Sequence, residues 1–272
     1  MSGPVVVGVD GSQSGMAAVE AAAHEADRIG VELRLAYAYE WPTAQVSPGV
    51  PPWDRSGAGA CRVVKGALTE AERRAVGAAP QLRVTHEVLM GSPVAVLESA
   101  SREASLLVVG GRPPGRAGSL RHGSVAGQLA AHGRTPMLVV RGRPDPAGPV
   151  VLVGGHAQEV REAVEFAYAE AAARDTDLVV LERTTAWHGR SYDAFAEALS
   201  VQSGKHPDVT THRARARGGL GRALVEASTR AQLVVVGTRG RGRRTGALPT
   251  PVGMVALHRA DCPVAVIHSA DR

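Results

Sequence analysis

The sequence predicts two consecutive α/β units, each a doubly wound parallel sheet flanked by helices, and three observations lead to that fold class. Short continuous apolar runs such as Val5 to Val9 alternate along the chain with stretches of helical periodicity, the pattern of strands buried on both faces and of helices that cover them. Glycine, proline and serine mark the joins. The order of elements then begins again. PVVVGVD at Pro4 lines up with PVVLVGG at Pro149, and Ala18-Val19-Glu20 with Ala163-Val164-Glu165, a shift of 145. Farther on, Leu106 to Gly110 matches Leu233 to Gly237, and Thr135-Pro136-Met137 matches Cys262-Pro263-Val264, a shift of 127, so the second copy is 18 residues shorter in between. A period this long is a duplicated domain, not a short solenoid repeat.

In the first copy, Asp10-Gly11-Ser12 ends the opening strand, and Met16, Val19, Ala23, Ala26 and Ile29 recur at three and four residue intervals, which makes an amphipathic helix from Ser14 to Arg28. Gly30 stops it, and Val31 to Tyr37 reads as a second strand. Glu40 to Gly59 carries Pro42, Pro48, Pro51 and Pro52 with three glycines, a long irregular loop of the kind that is either functional or disordered. A helix is expected from about Ala60 to Ala79 and a strand from Leu82 to Leu89. Ser92 as N-cap and Pro93 at the first helical position open a helix to about Ala104. Leu106 to Val109 is a strand, Gly123 to His132 a helix and Met137 to Val140 a final strand. The predicted domains are residues 1–141 and 150–272, joined by the proline and glycine linker 142–149.

The totals bound the function classes. The chain has 272 residues, 44% hydrophobic and only 3% aromatic, so the cores are built from Ala, Val and Leu. Lys+Arg 31 against Asp+Glu 26 gives a net charge of +5, nearly all of it arginine, an excess that permits phosphate contact without demanding it. Cys61 and Cys262 have no metal spacing and do not make a disulfide framework. No segment reaches the ~18 apolar residues of a membrane span, and MSGPVVVGVDGS lacks a basic region followed by an apolar one. A cytoplasmic protein that contacts no membrane is the expectation.

Leu106 to Val125, LLVVGGRPPGRAGSLRHGSV, combines a strand ending in Gly110, a glycine and basic loop, and Gly123-Ser124 at a helix start. A residue without a Cβ lets a ligand approach the backbone, and a helix N-terminus favours phosphate. A plain strand-loop-helix connection is the alternative. Ligands in doubly wound sheets sit beyond the carboxyl ends of strands where the strand order reverses, so neighbouring first and fourth strands would put Asp10 and Gly110 on one crevice.

The VVVGVDGS start, the GSP helix start, the VVGG strand end, the downstream GSV and the final TPMLVV together resemble the universal stress protein family, here as a tandem pair. The resemblance covers almost all of both halves, and is weakest over 41–59 and 187–217. It implies a five-stranded parallel sheet in the order 3-2-1-4-5 in each half, and an ATP signature of glycine, two residues, glycine, nine residues, then glycine followed by serine or threonine. In the first half that pattern falls on Gly110, Pro113 and Gly123-Ser124, with the spacing kept and the second glycine replaced. Proline has no N–H to donate. In the second half Gly237 and Gly240 stand, the closing pair is Thr250-Pro251, and Gly155 matches Asp10. The resemblance therefore implies a nucleotide site in the first half. Asp10 would lie near the ribose, Ala38 and Val109 beside the adenine, Arg112 toward phosphate, and Gly123, Ser124 and Val125 around the phosphate at the helix start, with Val9 and Gly110 among the residues that line the site. The competing structural readings are Asp10 as a turn cap and Ala38 and Val109 as core.

What this implies is a stress-related protein that binds ATP, with Mg²⁺, and uses occupancy to change its interactions with a protein partner, with slow hydrolysis at most, so not an enzyme in the usual sense. The alternative is a scaffold whose sites have decayed in both halves. The closing strands Met137 to Val140 and Val264 to Ile267 are apolar edges that need cover, and by the resemblance they pair as an internal pseudo-dimer, with a homodimer as a further step. Other motifs are absent or incomplete. Gln13 stands where a nucleophile elbow needs serine. There is no P-loop, and Gly240, Gly242 and Gly246 are one residue too widely spaced for a dinucleotide fingerprint. His258 and Cys262 lack a third metal ligand. Two arginine clusters, Arg213, Arg215, Arg217 and Arg222, and Arg239, Arg241, Arg243 and Arg244, have few aromatic neighbours. They read as a solvated rim that discourages edge pairing rather than as a nucleic-acid surface.

Overall fold

A computed structural model describes residues 3–40, 58–111, 124–143, 146–154, 160–183, 190–216, 218–238 and 251–268. Its contacts divide the chain into two compact units, Met1–Gly110 and Gly111–Arg272.

The first unit contains β1 (Val5–Gly8), α1 (Gln13–Ile29), β2 (Leu33–Tyr39), α2 (Ala58–Ala78), β3 (Val84–Met90), α3 (Pro93–Ala100) and β4 (Leu106–Gly110). The strands are parallel, in the order β3-β2-β1-β4. Val5, Val6 and Val7 have no exposed surface because β1 is central and both its faces are covered, which is why it reads as an unbroken apolar run. α1 lies close to the sheet through Ala18, Ala22 and Ala26, all fully buried. On the other strand face, a Cβ at Gly8 would sit 2.9 Å from Leu97 of α3, so the small residue admits that helix. Ser12 caps α1 and Ser92 caps α3, each hydroxyl accepting a backbone N–H three residues on, and Pro93 opens α3. Gly30 ends α1 in the left-handed region at φ 70°. α3 is shorter than the periodicity suggests, ending at Ala100. The proline-rich loop lies outside the described residues over 41–57, and Ala58 and Gly59 already belong to α2.

The second unit contains α4 (Val125–His132), β5 (Met137–Val140), β6 (Val150–Val153), α5 (Val160–Ala173), β7 (Leu178–Arg183), α6 (Arg190–Lys205), β8 (Thr211–Ala216), α7 (Leu220–Ser228), β9 (Leu233–Thr238), α8 (Pro251–Arg259) and β10 (Val264–His268). Its order is β5-β10-β9-β6-β7-β8. The five strands of the second repeat thus follow the 3-2-1-4-5 arrangement, all parallel. The antiparallel step is β5 on β10, with Leu138 opposite Ala265. Two apolar closing strands cover each other's edge. The repeats agree in detail as well as in order: Val9 N–H donates to Ala36 O and Gly154 N–H to Leu181 O, at 2.9 Å in both. Tyr168 and Phe195 are the largest side chains fully buried among the described residues. Apart from Phe166, Met16, Met137 and Cys262, the rest of the core is aliphatic.

Candidate functional site

At the carboxyl end of β1 the chain leaves the sheet through Val9, which is buried, and reaches Asp10, which is exposed. Asp10 Oδ1 accepts hydrogen bonds from the Ser12 N–H at 2.9 Å and the Ser12 hydroxyl at 2.6 Å. Ser12 Oγ in turn accepts from the Gly15 N–H at 3.0 Å and lies 3.1 Å from Ser14 Oγ. Asp10 therefore does cap a turn, and the same bonds fix its carboxylate at the rim of α1. Gly15, which the sequence reading passed over, holds this arrangement open: a Cβ there would stand 2.3 Å from Asp10 Oδ1. Its signal in the sequence is a glycine in the first turn of a helix, where its low helix propensity needs a reason.

β4 lies beside β1, with Val7 opposite Val108, so the strand order of the first unit reverses there. Val109 is buried. A Cβ at Gly110 would meet the Ser14 carbonyl oxygen at 2.6 Å and the Gly15 nitrogen at 3.0 Å, so the close approach of α1 accounts for that glycine without a ligand. Ala38 sits near the carboxyl end of β2, half-buried and opposite Leu89 of β3. The first unit thus brings Asp10 and Gly110 to the first turn of α1, with Val9 and Val109 behind them in the sheet and Ala38 on the next strand.

Ser124 and Val125 belong to the second unit. Ser124 is the N-cap of α4, its Oγ accepting the Gly127 N–H at 3.0 Å, and Val125 is the first helical residue. Arg112, Pro113 and Gly123 lie outside the described residues, as do Gly155, Gly240 and Thr250.

In the second repeat, the position of Val9 is taken by Gly154, and the ring of buried Phe195 lies 3.6 Å from where its Cβ would be. Thr238 at the end of β9 is buried and turns its hydroxyl to Ile267 O at 3.4 Å. Pro251 opens α8.

Residues 1–141 and 182–268 match the profile of the universal stress protein family. The chain is similar to universal stress protein Rv2623 of Mycobacterium tuberculosis strain H37Rv, 32% identical over 289 residues that span 96% of this chain and 95% of that one. It is also similar to universal stress protein Rv2005c of the same strain, 31% identical over 96% of each chain. The chain belongs to the universal stress protein family. A crystal structure of a universal stress protein from Archaeoglobus fulgidus DSM 4304 superposes with a TM-score of 0.79 over 99% of this chain and 100% of that one, at 16% identity, so the fold is shared where the sequence has diverged.

The other candidate chemistry in this universal stress protein is accounted for by packing. Burial pushes the Cys262 thiol up to about 12, which leaves it protonated and unreactive at neutral pH. His258 sits near the end of α8 and Cys262 beyond it, ahead of β10. Among the described residues no group of three or more His, Cys, Asp or Glu is placed to hold a metal ion, and no helix is long and apolar enough to cross a membrane.

Proposed function

We propose that this universal stress protein binds ATP, with Mg²⁺, at the carboxyl ends of β1 and β4 in its first unit, and that occupancy rather than turnover changes its interactions with a protein partner. One observation carries the reading. An exposed carboxylate, Asp10, is fixed by Ser12 at the point where the strand order reverses, the place where open α/β sheets take ligands. A carboxylate held there accepts hydrogen bonds from the vicinal hydroxyls of a ribose. The signature spacing of Gly110 and Gly123-Ser124 supports the same half.

Calorimetric titration with ATP and Mg²⁺ tests it. Asp10→Asn retains an oxygen that accepts both bonds from Ser12 and removes the charge, so affinity is expected to fall roughly tenfold, about one charge-assisted hydrogen bond. Absence of heat with the wild-type protein overturns the reading, as does equal affinity in Asp10→Asn and Gly123→Val. Pro113 and the ring of Phe195 against Gly154 favour a second reading, a scaffold without nucleotide. Mass spectrometry of small molecules released on denaturing freshly purified protein separates the two, since copurified adenine nucleotide excludes the scaffold.

A further inference from the structure

Each side-chain hydrogen in the turn after β1 has a fixed destination. A carboxylate only accepts hydrogen bonds, and a serine hydroxyl has one hydrogen and two acceptor positions. The Ser12 hydroxyl therefore gives its hydrogen to Asp10 Oδ1, at 2.6 Å, and accepts the Gly15 N–H at 3.0 Å. The 3.1 Å contact between the Ser12 and Ser14 hydroxyls then has a direction: Ser14 donates and Ser12 accepts. With its hydrogen placed and both acceptor positions filled, the Ser12 hydroxyl has nothing left for a ligand.

The two carboxylate oxygens of Asp10 are left unequal. Oδ1 accepts the Ser12 N–H at 2.9 Å as well as the hydroxyl, and it faces the first turn of α1, where a Cβ on Gly15 would stand 2.3 Å away. Oδ1 is thus filled and walled in. Oδ2 has no hydrogen-bond partner among the described residues, and Asp10 is exposed. In the second repeat, at the shift of 145, Gly155, Ala157 and Val160 stand for Asp10, Ser12 and Gly15, so carboxylate, hydroxyl and the room for them are absent together. Its helix α5 forms from Val160 all the same, so starting a helix here does not require the set.

We propose, resting on the nucleotide reading above, that Ser12 is a positioning residue that sets sugar specificity: by filling Oδ1 it restricts Asp10 to one oxygen, and so to one hydroxyl of the ribose. A carboxylate with both oxygens free takes two vicinal hydroxyls side by side, one on each. Here only Oδ2 is open. The two acceptor positions of a single oxygen diverge while vicinal hydroxyls lie close together, so Oδ2 takes one of them in good geometry. The other hydroxyl meets neutral groups or water, in a hydrogen bond about half as strong. The sugar contact is thereby narrowed from a hydroxyl pair to a single charge-assisted bond.

Calorimetric titration of the full chain with Mg²⁺ and, in turn, ATP, 2′-deoxy-ATP and 3′-deoxy-ATP tests the proposal. One deoxy nucleotide is expected to bind roughly tenfold more weakly than ATP, the loss of one charge-assisted hydrogen bond, and the other within about threefold of ATP. Ser12→Ala takes the hydroxyl from Oδ1 and lets the carboxylate turn both oxygens to the sugar, so the two analogues are expected to bind within about twofold of each other. Ser12→Thr keeps both the hydroxyl and the helix cap and is expected to keep the wild-type ratio. A weaker cap on α1 lowers stability without changing the ratio between two ligands, so the ratio separates positioning from folding. Equal binding of the two analogues to the wild-type protein, or a ratio that Ser12→Ala leaves unchanged, overturns the role of Ser12 while ATP binding stands. Absence of heat with ATP overturns the nucleotide reading, and the role of Ser12 with it.

Discussion

Gly30 and Asp175 stand 145 residues apart at the same place in the two repeats, and both close a helix in the left-handed region, at φ 70° and φ 48°. The chain reverses identically after each: Val31 N–H donates to Ala26 O and Thr176 N–H to Ala171 O, both at 3.0 Å. The glycine was legible as a helix stop because only glycine takes that conformation without strain. The aspartate was not, since aspartate more often signals a helix start or a turn. Nothing lies within 4 Å of a Cβ built on Gly30, so Gly30→Ala isolates the backbone term and is expected to destabilise by about 1 kcal/mol. Asp175→Gly relieves the same strain and is expected to gain about 0.5 kcal/mol, reduced by the greater freedom of glycine in the unfolded chain. Urea titration of the two variants measures both. The opposite signs at equivalent positions are the outcome to look for.

At the scale of the element, the closing strands do more than cover each other. Arg141, just beyond β5, donates to the Ala256 carbonyl at 3.0 Å, the His258 carbonyl at 2.9 Å and the Leu257 carbonyl, so it caps the carboxyl end of α8. His268, at the end of β10 and 127 residues later, sets Nδ1 3.0 Å from Thr135 O and Nε2 3.2 Å from Ala130 O at the end of α4. Each closing strand thus secures the last helix of the other repeat. A cation at a helix C-terminus is favoured by the exposed carbonyls there. Arg141→Met leaves three acceptors without their donor and is expected to cost about 2–3 kcal/mol, measured as a lower urea midpoint with unchanged slope. The strands themselves were readable as apolar runs. Their caps were not, because residues 115 or more positions apart meet only in the folded chain.

At the scale of the whole molecule, those same contacts give stability a pH dependence. Burial holds His268 below its ordinary value, against the pull of the Ala130, Thr135 and Leu129 carbonyls, and burial with the nearby Arg141 lowers His258. A histidine depressed in the folded state binds its proton more readily when unfolded. The stability it supplies is complete above the unfolded value, about 6.5, and is lost as pH falls through the lower folded value. The melting temperature is therefore expected to decline on acidification from pH 7.5 to pH 5, and less steeply in His268→Gln. An equal decline in both proteins would remove His268 as a contributor.

The sequence by itself determined the element order, the duplication and the fold class, because a buried parallel strand must be apolar throughout and each helix must show a periodic face to cover it. It also placed Asp10 and Gly110 at the carboxyl ends of adjacent strands, since chain order and the family resemblance specify which strands are central. Only the tertiary structure decided what those residues touch. Gly110 is small because α1 presses on it, and Gly15 is small because Asp10 needs the room, whereas the pairing of β5 with β10 is the one the family resemblance implied. Such facts depend on distances between segments far apart in the chain, and no local pattern encodes them.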